Sequence, residues 1–404
     1  MRPLYFFLRP LLCASHGWVA FDFSAGTASR PNSSDYVRCI KAANAASLGI
    51  AHPLILQIKP EWLEHNELMS ALEPRQAIFV LPSEGLANAK VLESCKTLRG
   101  QGYHLGVQIT DVQAVKQIPC AAFDHVSMSA AFAHDALPAS AITYLGDAGF
   151  RKIATDVNSH EMYAWLTGKD FSLCHSGFLA VRNPANGRQP DLARLKLLKL
   201  LSIVEHDGDT REIESIFREE PKLSYNLLRL VNSVAVGART RISNFSQAIA
   251  ILGRRQLQRW LQLLVYANNL TEGHTPNPLM QLAATRGRLI ELLCKSIDPP
   301  PGNHEHCDNA FMTGLFSLLD VLLNMPMAEI LKELPLQEEV ENALRSPKDG
   351  GTLGQLLMIV SLAESGDFAT VEKLLDDLDI SPDTHAAAQV MALHWASRIN
   401  TEHD

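Results

Sequence analysis

The chain has no pair of cysteines at CxxC spacing, no apolar run of membrane-spanning length and no surplus of positive charge. Each absence removes a class of protein. The seven cysteines, at positions 13, 39, 95, 120, 174, 294 and 307, are odd in number and scattered, which argues against a disulfide framework and for reduced thiols in a cytoplasmic compartment. A spanning helix needs about 20 consecutive apolar residues. The most export-like stretch, MRPLYFFLRPLLCASHGWVA, is broken by Arg9 and Pro10, and Leu12 before Cys13 is too large for a lipoprotein cleavage site. A soluble protein with no membrane partner is expected. With 36 Lys and Arg against 44 Asp and Glu, the net charge is -8, which excludes broad attraction to nucleic acid or an anionic membrane. Any phosphate recognition has to come from a local site.

What is present is a globular composition, 47% apolar and 20% charged over 404 residues, with room for two domains. Up to about residue 180, short apolar runs alternate with amphipathic ones, the order expected of βα units. Strands are expected at Leu4 to Leu8, Val19 to Phe23, Leu54 to Ile58, Ala77 to Leu81, Leu105 to Ile109, Val126 to Met128 and Ile153 to Ala154. Helical patterns fall between them at Ser34 to Ser47, Pro60 to Leu72, Ser83 to Gly100 and Pro138 to Gly149. The spacing suits a small or incomplete (β/α) barrel over residues 1–181. The segment RNPANGRQPD, residues 182–191, concentrates turn formers and charge and reads as a linker. Beyond it strand signals vanish, and residues 192–404 read as an all-helical bundle. Helices are expected at about 222–234, 246–251, 254–268, 278–297, 308–324, 337–345, 353–364, 367–377 and 382–399.

Two strings carry family likeness. RPLLCASHGWVAF resembles the start of EAL-type cyclic dimeric GMP phosphodiesterase domains, with Arg9-Pro10-Leu11 for a QPI-like strand and Gly17 to Phe21 for GYEAL. On that resemblance the defining glutamate is Val19. The strand that ends in asparagine carries Gln57, the next has Val80 for a glutamate, and the paired aspartates become Gln108 and Ile109. Ser127 and Ser129 stand near the lysine and aspartate positions, Thr155 and Asn158 at two glutamates, and Ser176 at the glutamine before glycine. The resemblance implies a pair of divalent cations held by oxygen ligands, so these replacements imply a degenerate site with no metal or cofactor. Asp22, Glu84, Asp111, Asp124 and Asp156 lie near the aligned positions and are the acids that could restore it.

LLRLVNSVAVGARTRISNFSQAIAILG, residues 227–253, resembles the opening of the HDOD output domain, which looks like an HD phosphohydrolase stripped of its ligands. Asn232, Ser233, Gln247 and Gly253 are the positions most typical of it, with Asn232 suited to tying a helix end and Gly253 to a reversal at positive φ. The catalytic His-Asp pair is replaced by Ser317 and Leu318, and Asp320 reads as a solvated helix residue. His304, His306, Cys307 and Asp308 have zinc-ligand chemistry but lack a second ligand pair.

The combined expectation is a non-catalytic signal-transduction protein with no active site, whose two domains serve as protein-interaction or sensing modules, with another copy of itself among the candidate partners. Two alternatives remain. One is cyclic dimeric GMP binding or hydrolysis at the barrel, where Arg9 could meet a phosphate bidentately. The other is nucleic-acid binding through the helix-turn-helix-like segment 246–265, with Arg239, Arg241, Arg254, Arg255 and Arg259 as its basic cluster. The apolar face formed by Leu257, Leu261, Leu264 and Val265 disfavours it.

Overall fold

The apolar runs of the first half become eight strands in the computed structural model, which describes residues 4–26, 31–64, 66–183, 227–228, 231–232, 247, 253–267, 277–299, 301, 304–334 and 336–399. They are β1 (Phe6–Leu12), β2 (Trp18–Ala25), β3 (Leu54–Gln57), β4 (Ala77–Pro82), β5 (His104–Gln108), β6 (His125–Ser129), β7 (Arg151–Thr155) and β8 (Phe171–His175). The barrel is closed, which corrects the expectation of a small or incomplete one. The missing member was β8, a short strand of mixed sequence, FSLCH.

Closure is unusual in one respect. β2 through β8 pair in parallel, whereas β1 runs antiparallel to both of its neighbours. β1 matches β2 along its whole length from Phe6 to Leu12, but meets β8 only at Leu11 and Leu12. The seam beside Phe6 to Leu8 is therefore completed by something other than a strand. Gln389, from the helix Pro382–Ser397, supplies it: its Oε1 accepts from Leu8 N–H at 3.0 Å and its Nε2 donates to the Phe6 carbonyl at 2.8 Å.

Side chains alternate along each strand, so two cores form. Inside the barrel, Leu11, Ala20, Ile55, Ile78, Val80, Ile153 and Leu173 make a dry cluster. Outside, Phe6 stacks on Phe23 at 5.1 Å and meets Tyr36 edge-on at 5.0 Å, docking the helix Ser33–Ala42 on the β1–β2 hairpin. Asn32 caps that helix through a capping box with Asp35.

Clustering of the backbone divides the chain into two units, Met1–Val181 with Ser361–Val390, and Arg182–Val360 with Met391–Asp404. The sequence reading assigned everything after 191 to one bundle. The structure instead gives Ser361–Val390 to the barrel unit, because the apolar faces of these helices pack on β1. Among the described residues no helix is long and apolar enough to cross a membrane.

The second unit is helical as expected, with a close joint between the helices Pro278–Ser296 and His304–Phe316. A Cβ on Gly314 would lie 2.6 Å from the Arg286 carbonyl, and one on Gly287 would lie 2.9 Å from the carbonyl oxygen of Phe311. Backbone offers no rotamer to move aside. Gly314→Ala is expected to cost about 1–3 kcal/mol through overpacking, read as a lower denaturant midpoint, while an unchanged midpoint would show that the helices separate freely.

Candidate functional site

In a barrel of parallel strands the C-terminal strand ends form the functional mouth. Here that end is marked by Ala25, Gln57, Pro82, Gln108, Ser129, Thr155 and His175. Because β1 is antiparallel, its first residues lie at the same end, with Phe6 opposite Ala25.

The β1–β2 register sets Arg9 directly across from Asp22, and both follow the inward alternation of Leu11 and Ala20. Arg9 Nη2 donates to Asp22 Oδ2 at 2.8 Å, and Ser24 Oγ donates to the same oxygen at 2.6 Å. His175 Nε2 stands 3.8 Å from that oxygen, and Asp22 and His175 are both buried. Burial alone would raise the Asp22 carboxyl, yet His175, Arg9 and the Ser24 hydrogen bond hold it below the usual carboxylate range. Burial drives the His175 imidazole down to about 4 against the opposing pull of Asp22. At neutral pH the ring is therefore uncharged, and Arg9 is the charge that keeps Asp22 ionised. Arg9 Nε is a buried donor that lacks a hydrogen-bond acceptor among the described residues.

The acid of this strand pair is thus Asp22. Val19, where the resemblance put it, lies three positions nearer the closed end and packs against the interior cluster. Of the other aligned positions, Gln57 is exposed at the end of β3, Val80 joins the interior cluster and Ile109 is buried beyond β5. Gln108, Ser129 and Thr155 are half-buried at their strand ends, whereas Ser127 and Ser176 are buried. Asp156 has φ 57, and its N–H points at His175 Nδ1 at 3.4 Å. His175 itself was overlooked, although alternation from Leu173 turns it inward.

Whether this mouth fits a pair of divalent cations depends on its oxygen ligands. Hard cations take several carboxylate or carbonyl oxygens. Around Arg9 the ionised carboxylate is Asp22, already committed to a guanidinium and a hydroxyl. Among the described residues, the group of three side chains close enough to share an ion lies elsewhere, at His104, Asp124 and His125. That trio sits at the opposite end of the barrel, where β5 and β6 begin. Asp124 Oδ1 takes Leu105 N–H at 3.0 Å and His125 Nδ1 at 2.8 Å, while Oδ2 takes His104 Nδ1 at 2.6 Å and the Arg99 guanidinium. Four donors saturate this carboxylate, which makes it a bracket between strands rather than a vacant ligand.

In the second unit the described side chains of His306 and Asp308 turn to separate partners. His306 Nδ1 lies 2.9 Å from Glu339, and Asp308 accepts from Arg259 at 2.7 Å. The side chain of His304 lies outside the described residues. Adding zinc is expected to leave the melting temperature unchanged, and a rise accompanied by bound metal would overturn that. Arg259 also holds Glu291 at 2.8 Å and lies 4.9 Å over the Phe311 ring, so it is spent on the core and not offered to phosphate. That removes one member of the basic cluster; Arg239, Arg241 and the side chains of Arg254 and Arg255 lie outside the described residues. Asn232 Nδ2 donates to the Leu228 carbonyl at 2.7 Å and Gly253 has φ 73, whereas Gln247 is half-buried and Ser233 is not among the described residues. Ser317 accepts from Arg286 at 2.8 Å and Leu318 is buried. Asp320 corrects its expectation as a solvated residue: it is half-buried, and that burial raises its carboxyl.

The HDOD domain model matches residues 192–345. YuxH of Bacillus subtilis, an uncharacterized protein, is 24% identical over 352 residues, covering 84% of this chain and 82% of that one. CdgJ of Vibrio cholerae, a cyclic di-GMP phosphodiesterase, is 28% identical over 198 residues, 49% of this chain and 44% of CdgJ. The chain thus spans less than half of CdgJ. Solved structures similar to the chain include the EAL enzyme Bd1971, at 11% identity and TM-score 0.36 over 43% of this chain and 60% of that one. Klebsiella pneumoniae BlrP1 with calcium and cyclic di-GMP is similar at 19% identity and TM-score 0.34, over 43% and 54%. The expectation that the chain is not an enzyme is corrected by CdgJ, a relative that is named for a hydrolytic activity.

Proposed function

We propose that this chain is a signalling protein directed at cyclic di-GMP, with the dinucleotide received at the barrel mouth and the HDOD region serving protein partners. The observation that carries the reading is Arg9: an inward guanidinium, mostly buried, whose Nε hydrogen has no acceptor among the described residues while Nη2 is fixed by Asp22. A buried donor left unmatched costs free energy, and a phosphate oxygen is the acceptor that an arginine fork fits best. Gln57, Gln108 and Thr155 at the neighbouring strand ends offer neutral polar contacts for a guanine base or ribose. The sequence relation to CdgJ supports the choice of ligand. Hydrolysis is the second reading, favoured by that same relative, and Asp22 is the carboxylate from which it would have to be built.

Calorimetry of the full chain with cyclic di-GMP tests the first reading. Arg9→Ala is expected to weaken binding about 10- to 100-fold, the loss of one charge-assisted contact. Arg9→Lys keeps the charge beside Asp22 but not the fork, so it separates lost recognition from lost folding. No heat from the wild-type chain, together with no turnover in magnesium or manganese, would defeat both readings.

A further inference from the structure

The barrel mouth is not open on the β1 side. Phe368, at the start of the helix Phe368–Asp377, stacks face to face on Phe7 with centroids 4.3 Å apart and planes 1° from parallel. The Arg9 guanidinium lies 5.2 Å over the same ring. Phe7 and Arg9 are successive inward positions of β1, so one aromatic ring covers two side chains that point into the mouth. A Cβ on Gly366 would lie 3.2 Å from Arg9 Nη1, and one on Gly26, just past β2, would overlap the Glu372 carboxylate.

The same segment is fastened on both sides of that stack. Tyr5 Oη donates to Asp376 Oδ1 at 2.7 Å and to the Ile380 carbonyl at 2.8 Å. His385, buried, meets Tyr5 and Phe7 edge-on at 6.0 and 5.4 Å. Gln389 completes the open seam of β1 with two backbone hydrogen bonds. All of these residues lie beyond the stretch matched by the HDOD model, which ends at 345. The segment's attachments to the barrel include the Phe368 stack and the hydrogen bonds made by the Tyr5 and Gln389 side chains.

We infer that residues 361–390 form an intramolecular cover over the barrel mouth, which a phosphate-bearing nucleotide must displace to reach Arg9. The inference rests on the reading of the mouth as a cyclic di-GMP site. A closed cover lowers apparent affinity by the fraction of molecules that are open, so loosening it must tighten binding without any new contact to the ligand. The mechanism also names its reporter. The Leu8 amide is held by Gln389 only while the cover is shut.

The experiment is a cyclic di-GMP titration of the full chain, wild type against Phe368→Ala and separately Gln389→Ala, with hydrogen exchange at Leu8 followed in each. Loss of the Phe7 stack is expected to lower the apparent Kd by about fivefold or more. Saturating wild type with the nucleotide is expected to speed exchange at Leu8. Equal affinities for wild type and both variants, or slower Leu8 exchange on binding, would overturn the cover while leaving the nucleotide site standing. Absence of binding in all three proteins would remove the site, and the cover with it. A variant that binds tightly but melts within a few degrees of wild type supports the cover. Should one variant unfold, the other carries the same comparison.

Discussion

Glu291→Ala is expected to cost about 3–5 kcal/mol, because it strips the shared anion from a buried charge cluster. Glu291 is fully buried on the helix Pro278–Ser296 and accepts from Arg259 at 2.8 Å, Arg288 at 2.7 Å and Lys295 at 2.6 Å. Burial would raise its carboxyl, but Arg259 first, then Lys295 and Arg288, bring it down to about 2. Its unfolded value is 4.5, so the folded state gains on the order of 3 kcal/mol from the ionised form. That contribution is complete above about pH 4.5 and is lost as pH falls toward 2. A chain of two units need not unfold in one step, so hydrogen exchange along Pro278–Ser296 is the measurement of choice. Glu291→Gln keeps the shape and removes the charge, and a loss below about 1 kcal/mol in that variant would show that packing, not charge, secures the helix.

In the barrel unit the corresponding residue is Asp124. Asp124→Ala is expected to cost about 3 kcal/mol, since it abandons the Arg99 guanidinium, two histidines and the Leu105 amide at once. Burial raises this carboxyl, and the His125 and His104 hydrogen bonds together with the Arg99 charge outweigh it, leaving the group far below its ordinary value of 3.8. Its stabilisation is therefore present above about pH 3.8 and fades only in stronger acid. The check is an acid titration of barrel stability by circular dichroism. The variant should lose the acid-dependent part that the wild type shows, and identical titration curves for the two proteins would refute the bracket.

How far the sequence reaches differs between these two places. Asp124 was visible as an acid near β6, but its role depends on His104 and Arg99, which come from β5 and the helix Ala89–Gly100. Nothing in the local string FDHVSMS links them. Glu291 was never singled out, because a lone glutamate in a helical pattern is ordinarily solvated; only the approach of Arg259 makes it internal. Asp22 is the instructive intermediate. The strand that holds it was readable from its alternation, and Asp22 was noticed as an acid, yet its pairing with Arg9 is a matter of register between β1 and β2, which no string of residues fixes.

The sequence by itself determined the two kinds of structure, βα units followed by helices, because period 2 and period 3.6 are local properties of the chain. It also carried the residues behind the HDOD match and a globular composition. Only the tertiary structure decided that the barrel closes, that Asp22 rather than Val19 faces Arg9, and that helices at the far end of the chain return to cover β1. Closure and the return of those helices depend on contacts between residues far apart in the chain, such as Leu12 with Cys174, Phe7 with Phe368 and Leu8 with Gln389. Burial of apolar surface selects such contacts for their complementary shape, and that complementarity exists only after both partners have folded.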